Sequence, residues 1–523
     1  MRSKACRIGL WAALAGACMA MAIAGCGGTG GGDGESGALA RQASPLQQSG
    51  RWLVDADGRV VILHGVNMVA KRAPYRPSAL GFGADDADAI AAMGFNTVRL
   101  GLIHKALVPA PGQYDAAYLD DIQRTAEMLT ARGLLVLLDF HQDLYNERYQ
   151  GEGFADWATV DSADGAPSDA AGCDQGFPTN IFTCRHLWEA FDNLFGINGA
   201  VQALSSRGLT LQQEFADAWR VVARRFRDTP GVFGYNLLNE PYPGSATLAC
   251  LNPLGCLGDQ DAALTAFHQQ LVDAIAAIDP DKILFYEPYA TNFNAGFPTA
   301  HGDLATVAGV GLSFHNYACP FGIVGIPPEL GLGGLCGPLF EQSVFDNAEA
   351  QSQRYGHALL LTEFGATDDA DAIDRMADLA DANRVSWQYW AWWNEDVCCE
   401  RPEEGIIDHP ANPPSPEHLD AAKLDALVRP YPRVVAGTPL SWSFDAQTRE
   451  FRLRYTSEAA DGSGRRLADL TTEVWVPRRQ YPDGYTISLS GARVVSGADD
   501  ERLLLQASAA DAPVELSIAP RTP

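Results

Sequence analysis

The segment Val232-Phe233-Gly234-Tyr235-Asn236-Leu237-Leu238-Asn239-Glu240-Pro241 decides the reading of this chain. Its first half is apolar on both strand faces, as a strand covered from both sides must be. Its second half breaks abruptly into an amide, a carboxylate and a proline, which cannot continue a central strand. A buried strand that ends on a carboxylate belongs to a parallel sheet whose strand ends carry the chemistry.

The same pattern recurs through the chain. Apolar, β-branched runs occupy Val60–Val66, Thr97–Leu102, Leu134–Phe140, Val232–Leu238, Ile283–Tyr286, Val310–Phe314, Ala358–Thr362 and Val385–Trp392. Amphipathic segments lie between them, among them Asp85–Met93, Tyr118–Ala131, Leu211–Arg227 and Ala262–Ile278. Eight strand–helix units predict an α/β chain with a (β/α)8 TIM barrel; a doubly wound sheet is the structural alternative. The strand ends carry Asn67, Arg99, His141 with Asp143, Asn239 with Glu240, Glu287, His315 with Tyr317, Glu363, and Trp390 with Trp392. One polar residue at a strand end can be a simple cap. Polar residues at every end are hard to explain by packing.

Glu240 ends the fourth strand and Glu363, in Thr362-Glu363-Phe364-Gly365, ends the seventh. On an eight-stranded barrel these ends face each other across the mouth. Glycoside hydrolysis needs such a pair, one carboxyl protonated to help the leaving oxygen depart and one ionised beneath the anomeric carbon. Trp390 and Trp392, two residues apart, are expected on one strand face, where one would form a stacking floor for a sugar ring or both would pack in the core. Glu287 and Asp139 read as structural hydrogen bonders rather than catalysts.

Asn239-Glu240-Pro241 together with the Glu363 segment resembles glycoside hydrolase family 5, over roughly residues 52–430. The resemblance implies Glu240 as acid/base and Glu363 as nucleophile of a retaining double displacement. It implies that Asn239 meets the sugar 2-hydroxyl, that Arg99 places positive charge beside Glu363, and that Tyr317 hydrogen-bonds Glu363. His315 and His141 would contact the sugar or the acid/base. Asp139-Phe140-His141-Gln142-Asp143-Leu144-Tyr145, then Gly151-Glu152-Gly153 and Asp156-Trp157-Ala158, resembles the endoglycoceramidase group, as does Lys71 before Pro74-Tyr75. There Lys71 and Asp143 would contact the glycan, and the substrate would be a glycolipid of glycan plus ceramide. The strand before Glu240 carries Asn236 where the resemblance implies an acidic residue. Apolar side chains of the insertion Asn146–Leu211, from Phe154 to Phe195, would either cover the lipid side or pack on themselves, as would those of Pro320–Leu339. A β-glucanase or β-glucosidase of the same family is the competing enzyme, and a non-catalytic sugar-binding surface lipoprotein the competing binder. No cofactor or metal is expected, since two carboxylates suffice and no His/Asp cluster stands at metal-ligand spacing.

The tail changes character after Pro430-Tyr431-Pro432-Arg433. Short alternating runs at Thr438–Phe444, Phe451–Tyr455, Thr471–Val476, Tyr485–Leu489 and Leu503–Leu505 predict a small C-terminal β-sandwich over 431–523, with the barrel over 51–430.

The N-terminus reads as an address. Arg2, Lys4 and Arg7 precede the apolar Ile8–Ile23, and Ile23-Ala24-Gly25-Cys26 resembles a lipoprotein box, so residues 1–25 would be removed and Cys26 lipidated. Gly27 after it favours the outer membrane; an ordinary secretory signal is the alternative. Residues 26–50, rich in Gly and Ser, form a tether that would span roughly 25–30 Å. Export agrees with eight remaining cysteines, Cys173, Cys184, Cys250, Cys256, Cys319, Cys336, Cys398 and Cys399, as disulfide candidates in an oxidising compartment. Sequence neighbours suggest 173–184, 250–256 and 319–336. The net charge of −27, with no basic run, argues against nucleic acid as a partner.

Overall fold

The computed structural model describes residues 45–162, 168–200, 202–252, 254–256, 258–317, 338–394, 404–508 and 512–521. The segment expected to be an export signal, Cys26, most of the expected tether, Cys319, Cys336, Cys398 and Cys399 lie outside the described residues, as does nearly all of Pro320–Leu339.

Three short strands come first: β1 (Gln47–Ser49), β2 (Trp52–Val54) and β3 (Val60–Val61). Then follow β4 (His64–Met68), β5 (Thr97–Ile103), β6 (Leu135–His141), β7 (Val232–Asn236), β8 (Ile283–Tyr286), β9 (Val310–His315), β10 (Ala358–Glu363) and β11 (Ser386–Tyr389). These eight close into a barrel in the order β10-β11-β4-β5-β6-β7-β8-β9, every pair parallel. All of their residues are buried, which is why they read as unbroken apolar runs. Helices such as Ala116–Thr130, Leu211–Phe226 and Gln260–Ala276 cover the outside with one apolar face each.

The tail contributes β12 (Tyr431–Val435), β13 (Thr438–Asp445), β14 (Glu450–Thr456), β15 (Thr471–Trp475), β16 (Tyr485–Ser490), β17 (Ala492–Val494), β18 (Arg502–Ala507) and β19 (Val514–Pro520). A seven-stranded sheet, β1-β2-β3-β12-β15-β18-β17, faces a four-stranded one, β13-β14-β19-β16. Trp442, Phe451 and Leu516 of one meet Val60, Val474 and Leu503 of the other in a common core.

One expectation is corrected here, and one open alternative is decided. Val60–Val66 is not one barrel strand: Val60 and Val61 pair with Val435 and Val434 of the tail, and the barrel begins at His64. Residues 51–61 therefore belong structurally to the C-terminal sandwich. Both faces of this apolar run are buried, one under each unit, so its hydrophobicity does not mark the change of sheet. The open alternative concerns the insertion after β6, whose apolar side chains are expected either to cover the lipid side or to pack on themselves. Phe154, Ile181, Leu187, Phe191, Leu194 and Phe195 are buried in the barrel's own core. Helix Arg185–Phe195 turns its apolar face down, with Phe195 5.1 Å from Phe267 and Phe191 5.3 Å from Tyr242 between ring centroids. These six side chains pack against the protein, whereas Trp157, Phe177, Phe182 and Trp188 of the same insertion are only partly buried.

The disulfides Cys173–Cys184 and Cys250–Cys256 are formed, as sequence proximity suggests. Among the described residues no helix is long and apolar enough to cross a membrane.

Candidate active site

Arg99 on β5 organises the mouth of the barrel. Its Nη1 donates to Glu363 Oε1 at 2.5 Å and to Asn67 Oδ1 at 3.2 Å, its Nη2 to Asn239 Oδ1 at 2.7 Å and Glu287 Oε1 at 3.2 Å, and its Nε to Asn236 Oδ1 at 2.9 Å. Asp139 Oδ1 lies 3.1 Å from Nη2. The guanidinium is fully buried, but these carboxylates outweigh the cost of burial and hold its proton more tightly than usual. Arg99 already faces three carboxylates, and the neutral Asn236 satisfies Nε without adding a fourth.

Glu240 and Glu363 converge as expected. His315 at the end of β9 bridges them, its Nδ1 2.7 Å from Glu240 Oε1 and 3.2 Å from Glu363 Oε2. One oxygen from each carboxyl and the histidine nitrogen all fall within 4.8 Å of one another. Tyr317 donates its hydroxyl to Glu363 Oε2 at 2.6 Å. Burial and then the charge of Glu363 push the Glu240 carboxyl up, with His315 pulling the other way. Burial lowers His315, yet the charges of Glu363 and Glu287 and its bond to Glu240 raise it well above the ordinary imidazole range.

A second group sits beside this pair. Lys71 Nζ pairs closely with Asp143 and lies 3.9 Å from Glu152 Oε1 and 4.4 Å above the Trp390 ring. The Trp390 ring stacks on His141 at 5.2 Å, and His141 Nδ1 meets Asp139 at 2.8 Å. Burial works against the Asp143 carboxylate, but the charges of Lys71 and His141 hold its proton affinity far below the usual range. Gly151 and Gly153 make this turn possible. A Cβ at Gly151 would lie 1.9 Å from the Asp143 carbonyl, and Gly153, at φ +132°, has Gln142 2.4 Å from its Cβ position.

His141, Asp143 and Glu152 lie within 4.8 Å of one another, as do Glu240, His315 and Glu363. This corrects the expectation of no His/Asp cluster at ligand distance, because the strand ends bring together residues that sequence spacing keeps apart. Each group already lies against a protein cation, Lys71 beside Asp143 in one and Arg99 beside Glu363 in the other.

Trp392 corrects the expected shared face. Strand β11 stops at Tyr389, so period-two alternation no longer applies at 390–392. Trp390 faces the site, whereas Trp392 is fully buried and donates Nε1 to Asp86 at 3.0 Å behind the barrel. Glu287 and Asp139 act as the sequence predicts, as hydrogen-bonding anchors. Sequence reasoning missed Asn294, which donates to Glu240 Oε1 at 3.0 Å, and the role of Gln142, which donates to the Asn239 and Glu240 carbonyls at 2.9 and 2.8 Å. Gln142 stood in a quoted motif; Asn294 carried no signal, being a loop residue after β8.

The barrel fold and two carboxyls this close across its mouth define a glycoside hydrolase of the retaining type, whose paired carboxyls stand about 5–5.5 Å apart. The family model for cellulase (glycosyl hydrolase family 5) matches residues 54–396, and that of the glycoside hydrolase family 5 C-terminal domain matches 429–518. The chain belongs to glycoside hydrolase family 5. Endoglycoceramidase I of Rhodococcus hoagii (strain 103S) is 34% identical over 482 residues, 90% of this chain and 88% of that protein. The structure of endo-glycoceramidase II from Rhodococcus sp. as a lactosyl-enzyme intermediate is 26% identical, with a TM-score of 0.68, covering 92% of this chain and 100% of that one. Its ganglioside GM3 complex, also 26% identical, gives 0.69 over 90% and 99%.

Proposed function

We propose that this protein hydrolyses the β-glycosidic bond between glycan and ceramide in glycosphingolipids, with retention, using Glu240 as acid/base and Glu363 as nucleophile. The observation that carries the chemistry is His315 Nδ1 between the two carboxyls, 2.7 and 3.2 Å away. The ceramide assignment draws on the similarity to endoglycoceramidases over nine-tenths of the chain, not on the insertion's aromatics.

Glu363, paired with Arg99 and held by Tyr317, attacks the anomeric carbon. Glu240, whose proton affinity burial and the charge of Glu363 raise, gives its proton to the departing ceramide oxygen. Once the glycan is on Glu363, Glu240 removes a proton from water, which attacks the same carbon and frees Glu363. The Lys71, Asp143 and Trp390 group holds the glycan, two charged groups for hydroxyls and one ring for a sugar face. Asn239 has one N–H left for the 2-hydroxyl after bonding Arg99 and the Gln142 carbonyl, 3.1 Å away.

The N-terminal sequence supports export as a lipoprotein, with Cys26 as the anchor. Labelled fatty acid should enter the protein and be lost in Cys26→Ala.

The deciding assay supplies glucosylceramide, lactosylceramide and a ganglioside in detergent, beside cello-oligosaccharides, and repeats with Glu363→Gln. Release of intact glycan from ceramide, abolished by the substitution, is the expected result. Cleavage of cello-oligosaccharides alone would sink the ceramide assignment.

A further inference from the structure

Directly after Glu240 the chain runs from Pro241 to Gly258 without one Asp, Glu, Lys, Arg or His, although 20% of the whole chain is charged. The Cys250–Cys256 disulfide closes this stretch into a lobe. Two leucines point out of it, Leu248 at 59% and Leu254 at 75% exposure, while their neighbours Thr247, Cys250 and Cys256 are buried. The exposure is built in. Asn252 donates its side-chain amide to the carbonyls of Ala249 and Gly255, both at 2.7 Å, and accepts the Leu254 N–H at 2.9 Å. Gly255, at φ +72°, packs so closely that a Cβ there would lie 2.6 Å from the Pro298 carbonyl. Asn252 thus ties the turn together from within, while Leu248 and Leu254 are presented outward.

Its position is fixed with respect to the acid/base. The Pro241 carbonyl accepts the N–H of Ala290 at 3.0 Å, and the turn from Ala290 carries Asn294, which holds Glu240. Helix Thr247–Cys250 also touches helix Thr179–Thr183, which lies within the second disulfide loop, Cys173–Cys184. Both described disulfides therefore brace one sector of the catalytic rim.

We infer that this lobe is an interfacial foot that rests on the lipid bilayer carrying the glycolipid. The inference depends on the ceramide reading above. Glu240 protonates the leaving oxygen, and in that reading the leaving oxygen stays with a lipid embedded in the bilayer. The surface nearest Glu240 must then come down to the membrane. A chain of net charge −27 gains no attraction there from charge, and an uncharged, leucine-tipped lobe supplies the contact by burying apolar area instead. Leucines anchored by buried neighbours enter the headgroup region without further ordering.

The test uses residues 27–523, which lack both the apolar leader and the lipidated cysteine, and compares this chain with the same chain carrying L248Q and L254Q. Three quantities are read: the rate on lactosylceramide in phosphatidylcholine vesicles, the rate on a soluble aryl β-lactoside, and flotation of the Glu363→Gln form with phosphatidylcholine vesicles lacking glycolipid. The double variant should lose about tenfold in vesicle flotation and in the vesicle rate, as expected for two leucines withdrawn from an apolar contact, and keep its rate on the soluble lactoside. Unchanged flotation and vesicle rate would overturn the foot, and so would an equal loss on the soluble substrate, which marks damage to the site. An enzyme that cleaves the aryl lactoside but no lactosylceramide in any form would overturn the ceramide reading, and flotation would then judge the foot by itself.

Discussion

Glu287 accepts the backbone N–H of Glu240 at 2.9 Å, so the carboxylate ending the fifth barrel strand holds the main chain of the one ending the fourth. That main chain is unusual: Glu240 has φ +39°, a left-handed conformation that costs a non-glycine residue on the order of 1–3 kcal/mol. Burial alone would raise the Glu287 carboxyl, but the charges of His315 and Arg99 and the Glu240 N–H bring it down to about 2. It is an anion at any working pH. Glu287→Gln keeps the shape, removes the charge and can turn an N–H toward the Glu240 N–H. Since a displacement near 1 Å can cost about 100-fold in rate, kcat on an aryl glycoside should fall 10- to 100-fold, with KM within about twofold. An unaltered kcat in a folded variant would remove Glu287 from the positioning of Glu240.

The pH profile follows from the same neighbours. Glu240 acts as an acid in the first step, so kcat/KM falls as pH rises through its pKa, which burial and the charge of Glu363 push above the ordinary 4.5. His315 works in the opposite direction. Its replacement by Gln removes a positive neighbour, so the alkaline limb should move to higher pH even as the rate drops, by about tenfold or more. Profiles of the two proteins on one aryl glycoside decide it; an alkaline limb moving to lower pH would contradict the assigned proton donor.

How much of this was legible follows from where each signal is local. The barrel strands show as buried apolar runs, and Glu240 and Glu363 show because a carboxylate abruptly ends such a run. Burial on both faces is a property of the run itself. The membership of Val60 and Val61 in the tail's sheet is not, because it depends on pairing with Val435 and Val434 at the far end of the chain. Asn294 is in the same position, a polar loop residue whose use is set by the loop's path. Phe191 and Phe195 leave two readings open for a further reason: the apolar side chains of an insertion look alike whether they meet lipid or the barrel's own helices.

The two tryptophans separate site from core. Trp390 lies against His141 and Lys71, whereas Trp392 is bonded to Asp86 behind the barrel. Trp390→Ala should raise KM for lactosides about tenfold or more, and it should lower Tm as well, because the ring is buried beside Val69 and Ile103. Trp392→Phe should leave KM unchanged and lower Tm, since it leaves the buried Asp86 carboxyl without its indole donor. Kinetics and melting curves on both variants check this, and a KM effect at Trp392 would restore the shared face.

Asp381 ties stability to pH at the seam between barrel and sandwich. It is buried on helix Ala370–Asn383, 3.3 Å from Arg429 and 3.7 Å from His64, and the His64 ring stacks between Trp387 of β11 and Tyr431 of β12. Burial lifts its carboxyl to about 7 despite the charge of Arg429, with Asp378 and Asp374 adding to the rise. The folded state thus binds a proton that the unfolded state releases near 3.8. Stability is fully present below that unfolded value and is lost as pH climbs through the folded value near 7, by on the order of 2–4 kcal/mol. Asp381→Asn imitates the protonated form, and Arg429 keeps Asp374 at 3.0 Å and Asp378 at 2.7 Å. Between pH 5 and pH 8 the unsubstituted protein should lose about 4 °C more in Tm than the variant. Equal losses would mean that Asp381 keeps its charge in the folded state, with Arg429 outweighing burial.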